Sequence, residues 1–395
     1  MTRVPSTGRH PALVQDRRRE FRLVRTDRIL LLAPHPDDEV LSAGGLLQQA
    51  VERGAAVRIL YATRGENNPW AQRVHERRWH LGPADRARWG SLRWEEVLAA
   101  LECLGLPGAC ARPLFLPDQG LTDLLMQGNP ALIGALAEEI TRWRPTVSLV
   151  PATRDTHPDH GALGVAAHFA LAHSQHPGPP IRALEYVVHG RREPAPSGSE
   201  RVSLTRLQRE RKRIAILCHR SQLHLRRRFM LGFARDTETF RALSSDRDMD
   251  LSHPVQQVFV TGDSLHVEVA RQMAFGAARP ELLIAFEGGG AKGRLSVSFD
   301  ARAGWARLRD SSNGAGPISI PMLVLRDSVR FKLPRSGDVP RPADAAFFAK
   351  LDYPGARRMG LFDPHGWRYI GAPLPVGAGG LARPSAGYEA AREQA

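Results

Sequence analysis

The 395-residue sequence predicts an α/β protein: a mostly parallel sheet with helices on both faces, plus a smaller β-rich C-terminal region. Three observations predict it. Apolar runs alternate with helical patterns from about residue 27 onward. Two polar knots, Pro34-His35-Pro36-Asp37-Asp38-Glu39-Val40 and His157-Pro158-Asp159-His160, each follow an apolar run and precede a helical pattern. Beyond residue 250 short apolar runs are separated by Gly, Asn and Pro turns. Strands alternating with helices imply right-handed crossovers and parallel pairing.

The elements follow in order. Residues 1–26 read as a basic arm, mobile over 1–20. Ile29-Leu30-Leu31-Leu32-Ala33 marks a strand over 28–33, and a helix follows over 39–52. Residues 57–63 form a second strand, then a polar loop over 64–88 holds Asn67, Asn68, Pro69, Trp70 and Trp79. A helix over 92–104, a short strand over 113–116 and a helix over 129–143 come next. Val147-Ser148-Leu149-Val150 opens a strand over 147–151, followed by a helix over 161–173 and a strand over 184–189. A proline-containing loop over 191–199 precedes one long helix, 204–225. These elements make a domain over 27–250. Short strands at 258–261, 295–299, 306–309 and 322–325 define the β-rich region, 255–375, and a Gly/Ala-rich flexible tail covers 376–395.

Bulk properties narrow the class. Hydrophobic residues make up 42% of the chain, enough for a proper core. No apolar stretch approaches the roughly 20 residues of a membrane span. The Arg-rich start has no apolar core like that of a signal peptide. The three cysteines, Cys103, Cys110 and Cys218, form no paired framework, which suits a reducing compartment and a cytoplasmic location. A net charge of +14 suits acidic partners, and peripheral contact with an acidic membrane stays open. No recognition motif accompanies the charge, so nucleic acid is not expected.

The knots carry chemistry. In open α/β sheets, ligand sites lie beyond the carboxyl ends of strands, where both knots fall. A catalytic zinc takes three protein ligands and keeps one open position. His35 and Asp38, three apart in a tight turn, reach one ion, while Asp37 points elsewhere and is free to act as a base. The second knot adds a third ligand and another ionisable group, from His157 and His160. Helix capping alone would also explain acidic residues at 37–39, but not two histidine-containing knots at strand ends. His168 and His173 lie on a helix and read as packing residues.

These residues resemble a known family, the PIG-L (LmbE-like) zinc-dependent N-deacetylases. Residues Pro34 to Glu39 resemble its opening P-H-P-D-D-E motif and His157 to His160 its H-P-D-H motif. Thr63-Arg64-Gly65-Glu66, the Arg93…Glu96…Ala100…Leu104-Gly105 helix, Pro117-Asp118 with Leu121, and Lys212…Ala215…His219…Ser221-Gln222 resemble four further patterns in order. The resemblance covers about 27–245 and implies a Rossmann-like fold. It also implies removal of acetyl from an N-acetylglucosaminyl group on a glycoside, glycolipid or secondary metabolite. By the resemblance, His35, Asp38 and His160 bind Zn2+, with Fe2+ also compatible with two histidines and a carboxylate. Asp37 is the general base acting on zinc-activated water. His157 stabilises the oxyanion or protonates the leaving amine, and Asp159 orients a neighbouring histidine. Arg64, Glu66 and Arg93 are candidate substrate contacts; an Arg93–Glu96 ion pair on the helix surface is the alternative for Arg93.

Other readings change the bond, to another amide or an ester of a glycoside, or remove the chemistry, leaving a glycan-binding module. A metal phosphoesterase would need carboxylates for two ions. The run from Glu287 to Gly293 superficially resembles a phosphate loop, but Gly293 follows Lys292 where Ser or Thr is required, so it reads as a β-turn. The β-rich region is expected to shape substrate access or assembly.

Overall fold

The computed structural model describes residues 19–371, apart from 175–179, 191–198, 244–251, 275–279, 289, 312–315, 335–339, 341, 343 and 359–361. The arm before residue 19, the loop 191–198 and the tail over 376–395 lie outside the described residues.

Eight strands build the large sheet: β1 (Arg19–Glu20), β2 (Arg28–Ala33), β3 (Ala56–Thr63), β4 (Ala111–Leu116), β5 (Val147–Pro151), β6 (Arg182–Tyr186), β7 (Glu200–Ser203) and β8 (Thr237–Ala242). Their spatial order is β1-β7-β8-β6-β5-β2-β3-β4. The five strands from β6 to β4 pair in parallel, and β8 pairs antiparallel with both β6 and β7. Strand order reverses between β2 and β5, the crevice where open α/β sheets bind ligands.

The residues of β2 explain its central place. Ile29, Leu31 and Ala33 pack into one core layer, and Leu30 and Leu32 into the other. A strand covered on both faces needs a continuous apolar run, not an alternating one. The first layer is closed by α1 (Asp38–Arg53), α3 (Pro83–Cys103) and α7 (Arg206–Cys218). The second is closed by α4 (Leu121–Met126), α5 (Pro130–Trp143) and α6 (Pro158–His173). Two helices complete the region: α2 (Pro69–Glu76) and α8 (Arg220–Leu231).

Several expectations need correction. Arg19 and Glu20 pair with β7, and Phe21 and Leu23 are buried, so the arm enters the fold well before residue 26. The polar loop 64–88 contains α2, started by Pro69 behind the cap Asn68, whose side chain accepts the Ala71 N–H. The long helix 204–225 breaks at His219 into α7 and α8, because Glu96 accepts both the Ser221 N–H (2.7 Å) and its hydroxyl (2.6 Å) and so starts a new helix. Strand β8 was not foreseen.

The β-rich region contributes two antiparallel sheets. One is ordered β15-β16-β10-β9, from Met322–Val324, Ser328–Pro334, Ser264–Ala270 and Val255–Thr261. The other is ordered β14-β13-β12-β11-β17-β18, from Ile318–Ser319, Trp305–Asp310, Ala291–Asp300, Glu281–Gly288, Ala346–Asp352 and Arg368–Tyr369. They enclose a core of their own, including Val267, Ile284, Val297, Phe331 and Phe347. The second sheet also faces α6: Leu283, Ala285, Phe348 and Tyr369 join the core layer of Phe169 and Leu163. Glu287 pairs with Lys292 and Gly288 with Ala291, which makes the glycine run a hairpin turn.

Candidate active site

Both knots open at the switch point. The first spans the exit of β2 and the start of α1. Asp37 occupies the helix N-cap, yet its side chain makes no capping hydrogen bond. Its backbone is left-handed (φ 114°), a conformation a non-glycine residue adopts at a cost of order 1–3 kcal/mol. Glu39 helps hold it there, accepting the Asp37 N–H at 3.0 Å, and His219 Nε2 lies 3.4 Å from Glu39. The carboxylate is thus released from capping and faces the cavity.

Asp38 turns the other way. Its Oδ2 accepts the His35 N–H at 2.8 Å and lies 3.4 Å from His35 Nδ1 and 3.2 Å from His160 Nε2. His160 comes from the first turn of α6 and is fully buried. Neither of its ring nitrogens makes a hydrogen bond, although Asp155 Oδ2 stands 3.2 Å from Nδ1. Asp155 also accepts the N–H groups of His157, Val188 and His189, which fixes the loop leaving β5 to the end of β6. Three overlapping sets have donor atoms within 4.8 Å of one another: His35, His157 and His160; Asp38, His160 and His189; His35, Asp118 and Asp159. Converging imidazoles and carboxylates with unbonded ring nitrogens are a donor set suited to a divalent cation.

Burial and charge set the protonation states. Burial opposes charge on His160, but Asp38 and Asp155 raise it to about 9. Burial is likewise outweighed at His35, which Asp118, Asp159 and Asp38 raise well above the usual imidazole range. Asp38 is held well below the carboxylate range: burial opposes this, and His160 and His35 outweigh it. Asp37 is lifted to about 6 by burial, with Arg93 pulling against that and Asp38 adding to it. His157 is pushed well below its usual value by burial and by His35, and burial takes His189 down to about 3.

His157 caps α6, its Nδ1 accepting the Asp159 N–H at 3.2 Å. A neutral imidazole accepting at Nδ1 carries its proton on Nε2. The Asp159 carboxylate has other partners than His160. It accepts the N–H groups of Gln119 (2.7 Å) and Leu121 (3.1 Å), and its Oδ2 lies 3.4 Å from His35 Nε2.

A cavity of about 250 Å³ lies in front of these groups, lined by His35, Asp37, Asp118, His157 and His189 among others. Arg93 also lines it, but is 3% exposed and donates to the carbonyls of Gly65 (2.8 Å) and Pro36 (2.6 Å) and to Asp37 (3.2 Å). It braces the base. The surface ion-pair reading does not hold, since Glu96 is buried and engaged with Ser221. Arg64 and Glu66 do not line the cavity: Arg64 stacks on Phe115, and Glu66 accepts the Asp118 N–H at 2.9 Å. Asn67, Asn68 and Trp70 do line it, whereas Trp79 points to solvent.

Sequence reasoning assigned no role to Asp118, Asp155, His189, Arg226 or Phe362. His189 carried a usable signal, standing at the end of an expected strand exactly as the two knots do.

Residues 30–171 match the family described as PIG-L, GlcNAc-PI de-N-acetylase. This stretch is similar to the PIG-L family. Its match ends inside α6, before the β-rich region begins. Curated relatives of this stretch include 1D-myo-inositol 2-acetamido-2-deoxy-alpha-D-glucopyranoside deacetylases. That of Mycobacterium sp. (strain KMS) is 32% identical over 34% of this chain and 46% of its own length. That of Mycolicibacterium smegmatis is 33% identical over 37% of this chain and 53% of its own. The chain thus spans about half the length of these relatives. Among solved structures, the N,N'-diacetylchitobiose deacetylase of Pyrococcus horikoshii matches at 21% identity and a TM-score of 0.44, over 55% of this chain and 84% of that one. Among the described residues no helix is long and apolar enough to cross a membrane.

Proposed function

We propose that the protein is a metal-dependent hydrolase that removes acetyl from an N-acetylglucosaminyl-type substrate. The observation that carries the reading is the division of labour at 37 and 38: Asp38 sits between two imidazoles, while Asp37, uncapped and facing the cavity, touches neither. The names of the curated relatives support the substrate class.

His35, Asp38 and His160 would hold the cation, zinc or Fe2+, displacing the protons that His35 and His160 otherwise keep. When bound, the cation supplies Lewis acidity toward the amide carbonyl and the attacking water. The remaining work belongs to the chain. Asp37 is the base, and its carboxylate, lifted by burial, is suited to accept a proton near neutral pH. Arg93 keeps that carboxylate turned to the cavity. His157, neutral with its proton on Nε2, donates a hydrogen bond to the oxygen that gains negative charge. Proton transfer to the leaving amine then falls to Asp37, which has just gained a proton. Asp155 and Asp159 orient His160 and His35.

The test is Asp37→Asn in the full chain. The variant should keep its bound metal and lose about 10²–10⁴-fold in acetate release. Undiminished turnover would remove Asp37 from the mechanism.

A further inference from the structure

We propose that Phe362, supplied by the β-rich region, is a specificity-determining wall of this site and selects amino-sugar glycosides whose aglycone has an apolar face. The sugar half of that substrate rests on the deacetylase reading above.

Among the described residues lining the cavity, Phe362 alone comes from beyond α8. Its ring centroid lies 5.0 Å from that of His157 and 4.8 Å from that of His189, and the Arg226 guanidinium stands 5.3 Å from it. The β-rich region therefore reaches the reacting groups directly.

The segment that delivers it is locked to the catalytic loop. Asp363 N–H donates to Thr156 O at 2.8 Å and Trp367 N–H to Thr153 O at 2.7 Å, just before His157. Gly366 fits because it has no side chain: a Cβ there would stand 2.4 Å from Thr153 O. Trp367 is buried, and Lys350 Nζ holds Asp363 at 2.6 Å. Between these anchors and the histidines, Phe362 is left 39% exposed. A ring fixed at its base yet open on its face is a surface for a ligand, not a core residue.

Other residues lining the cavity repeat the chemistry. Trp70 and Leu225 also line it, 56% and 51% exposed, with Phe229 beside them under the Arg226 guanidinium at 4.6 Å. Arg226 sits at a kink in α8 (φ −126°), which places it between Phe229 and Phe362. The lining is mixed: Asp37, His35, Asp118 and Gln119 offer polar partners for an acetamido sugar, and Phe362, Phe229, Trp70 and Leu225 offer apolar area for the group attached to it. Aromatic faces add selectivity for flat apolar groups beyond the area they bury.

The experiment measures binding and hydrolysis separately on the full, zinc-loaded chain. Calorimetry gives the Kd of the phenyl and methyl β-glycosides of glucosamine, and acetate release is followed on the matching N-acetylglucosaminides. Wild type should bind the phenyl glycoside about tenfold more tightly than the methyl glycoside. Phe362→Ala should remove most of that preference and leave methyl glycoside binding within about twofold. Phe362→Leu keeps apolar bulk without a ring; it should lose part of the preference, and it decides the matter if the alanine variant unfolds. No preference in wild type, or equal weakening of both ligands, would overturn the proposal. A Phe362-dependent preference without acetate release would uphold the wall and sink the deacetylase reading. Acetate release with no dependence on Phe362 would do the reverse.

Discussion

Arg93 Nη2 lies 3.2 Å from Asp37 Oδ2, and the same guanidinium holds the carbonyls of Pro36 and Gly65. One buried side chain of α3 therefore ties the proposed base to the ends of β2 and β3. Gly65 is required at its end, since a Cβ there would overlap Arg93 Nη1 at 1.8 Å.

Arg93→Met removes these donors and leaves buried acceptors unmet, at about 1–3 kcal/mol each. The variant should unfold at lower denaturant and show reduced kcat with metal content unchanged. Arg93→Lys should not restore kcat, because a single ammonium lacks the planar fork that reaches separate acceptors. Urea titration with metal analysis and steady-state kinetics checks this.

Metal retention separates ligands from their supports. His160→Ala should abolish stoichiometric binding. Asp155→Asn keeps the ligands but loses the carboxylate 3.2 Å from His160 Nδ1, and should weaken affinity by about 10–100-fold. Competition against a chromogenic chelator reads both.

His168 offers a pH test away from the cation site. It is buried where α6 packs on the β-rich region, with its Nδ1 2.9 Å from Gly164 O and its ring centroid 5.0 Å from that of Phe348. Burial lowers it to about 4. A histidine depressed in the folded state contributes full stability above the unfolded value near 6.5, and that contribution is lost as pH falls from there toward 4. The loss amounts to roughly 3 kcal/mol. His168→Leu should flatten the fall of the urea midpoint across this window, whereas an unchanged slope would show that His168 is not the group responsible.

Lys350 anchors the ion-pair network through which Arg357 joins the two parts of the protein. Its ammonium is fully buried, 2.8 Å from Asp352 and 2.6 Å from Asp363, and Arg357 links Asp352 to Asp123 of α4. Lys350→Met leaves two buried carboxylates short of a cation and should cost about 3–5 kcal/mol. It should also loosen the 362–367 segment, seen as faster amide exchange at Asp363 and Trp367.

The central strands and the two knots were legible because their signals are local. An apolar run covered on both faces and a Pro-stiffened histidine turn are each contained in a few residues. The kink at His219 was not legible, because Glu96 causes it from another helix. Asp155 was missed for a similar reason: its role emerges only when β5 and β6 lie side by side and bring His189 within reach. Arg93 was foreseen at the site, but its partners at Pro36 and Gly65 come from two strand ends. Phe362 carried no signal at all, since nothing in its surrounding sequence resembles a site, and only the docking of Gly366 and Trp367 on the 153–156 loop brings it there.

The measurement closest to the central claim is acetate release by the full chain across N-acetylglucosaminyl glycosides, lipids and nucleotide sugars, before and after metal removal. Hydrolysis of at least one acetamido sugar should vanish with the metal and return when zinc or Fe2+ is restored. Release that survives complete metal removal, or a fully loaded protein that frees acetate from none of them, would contradict it.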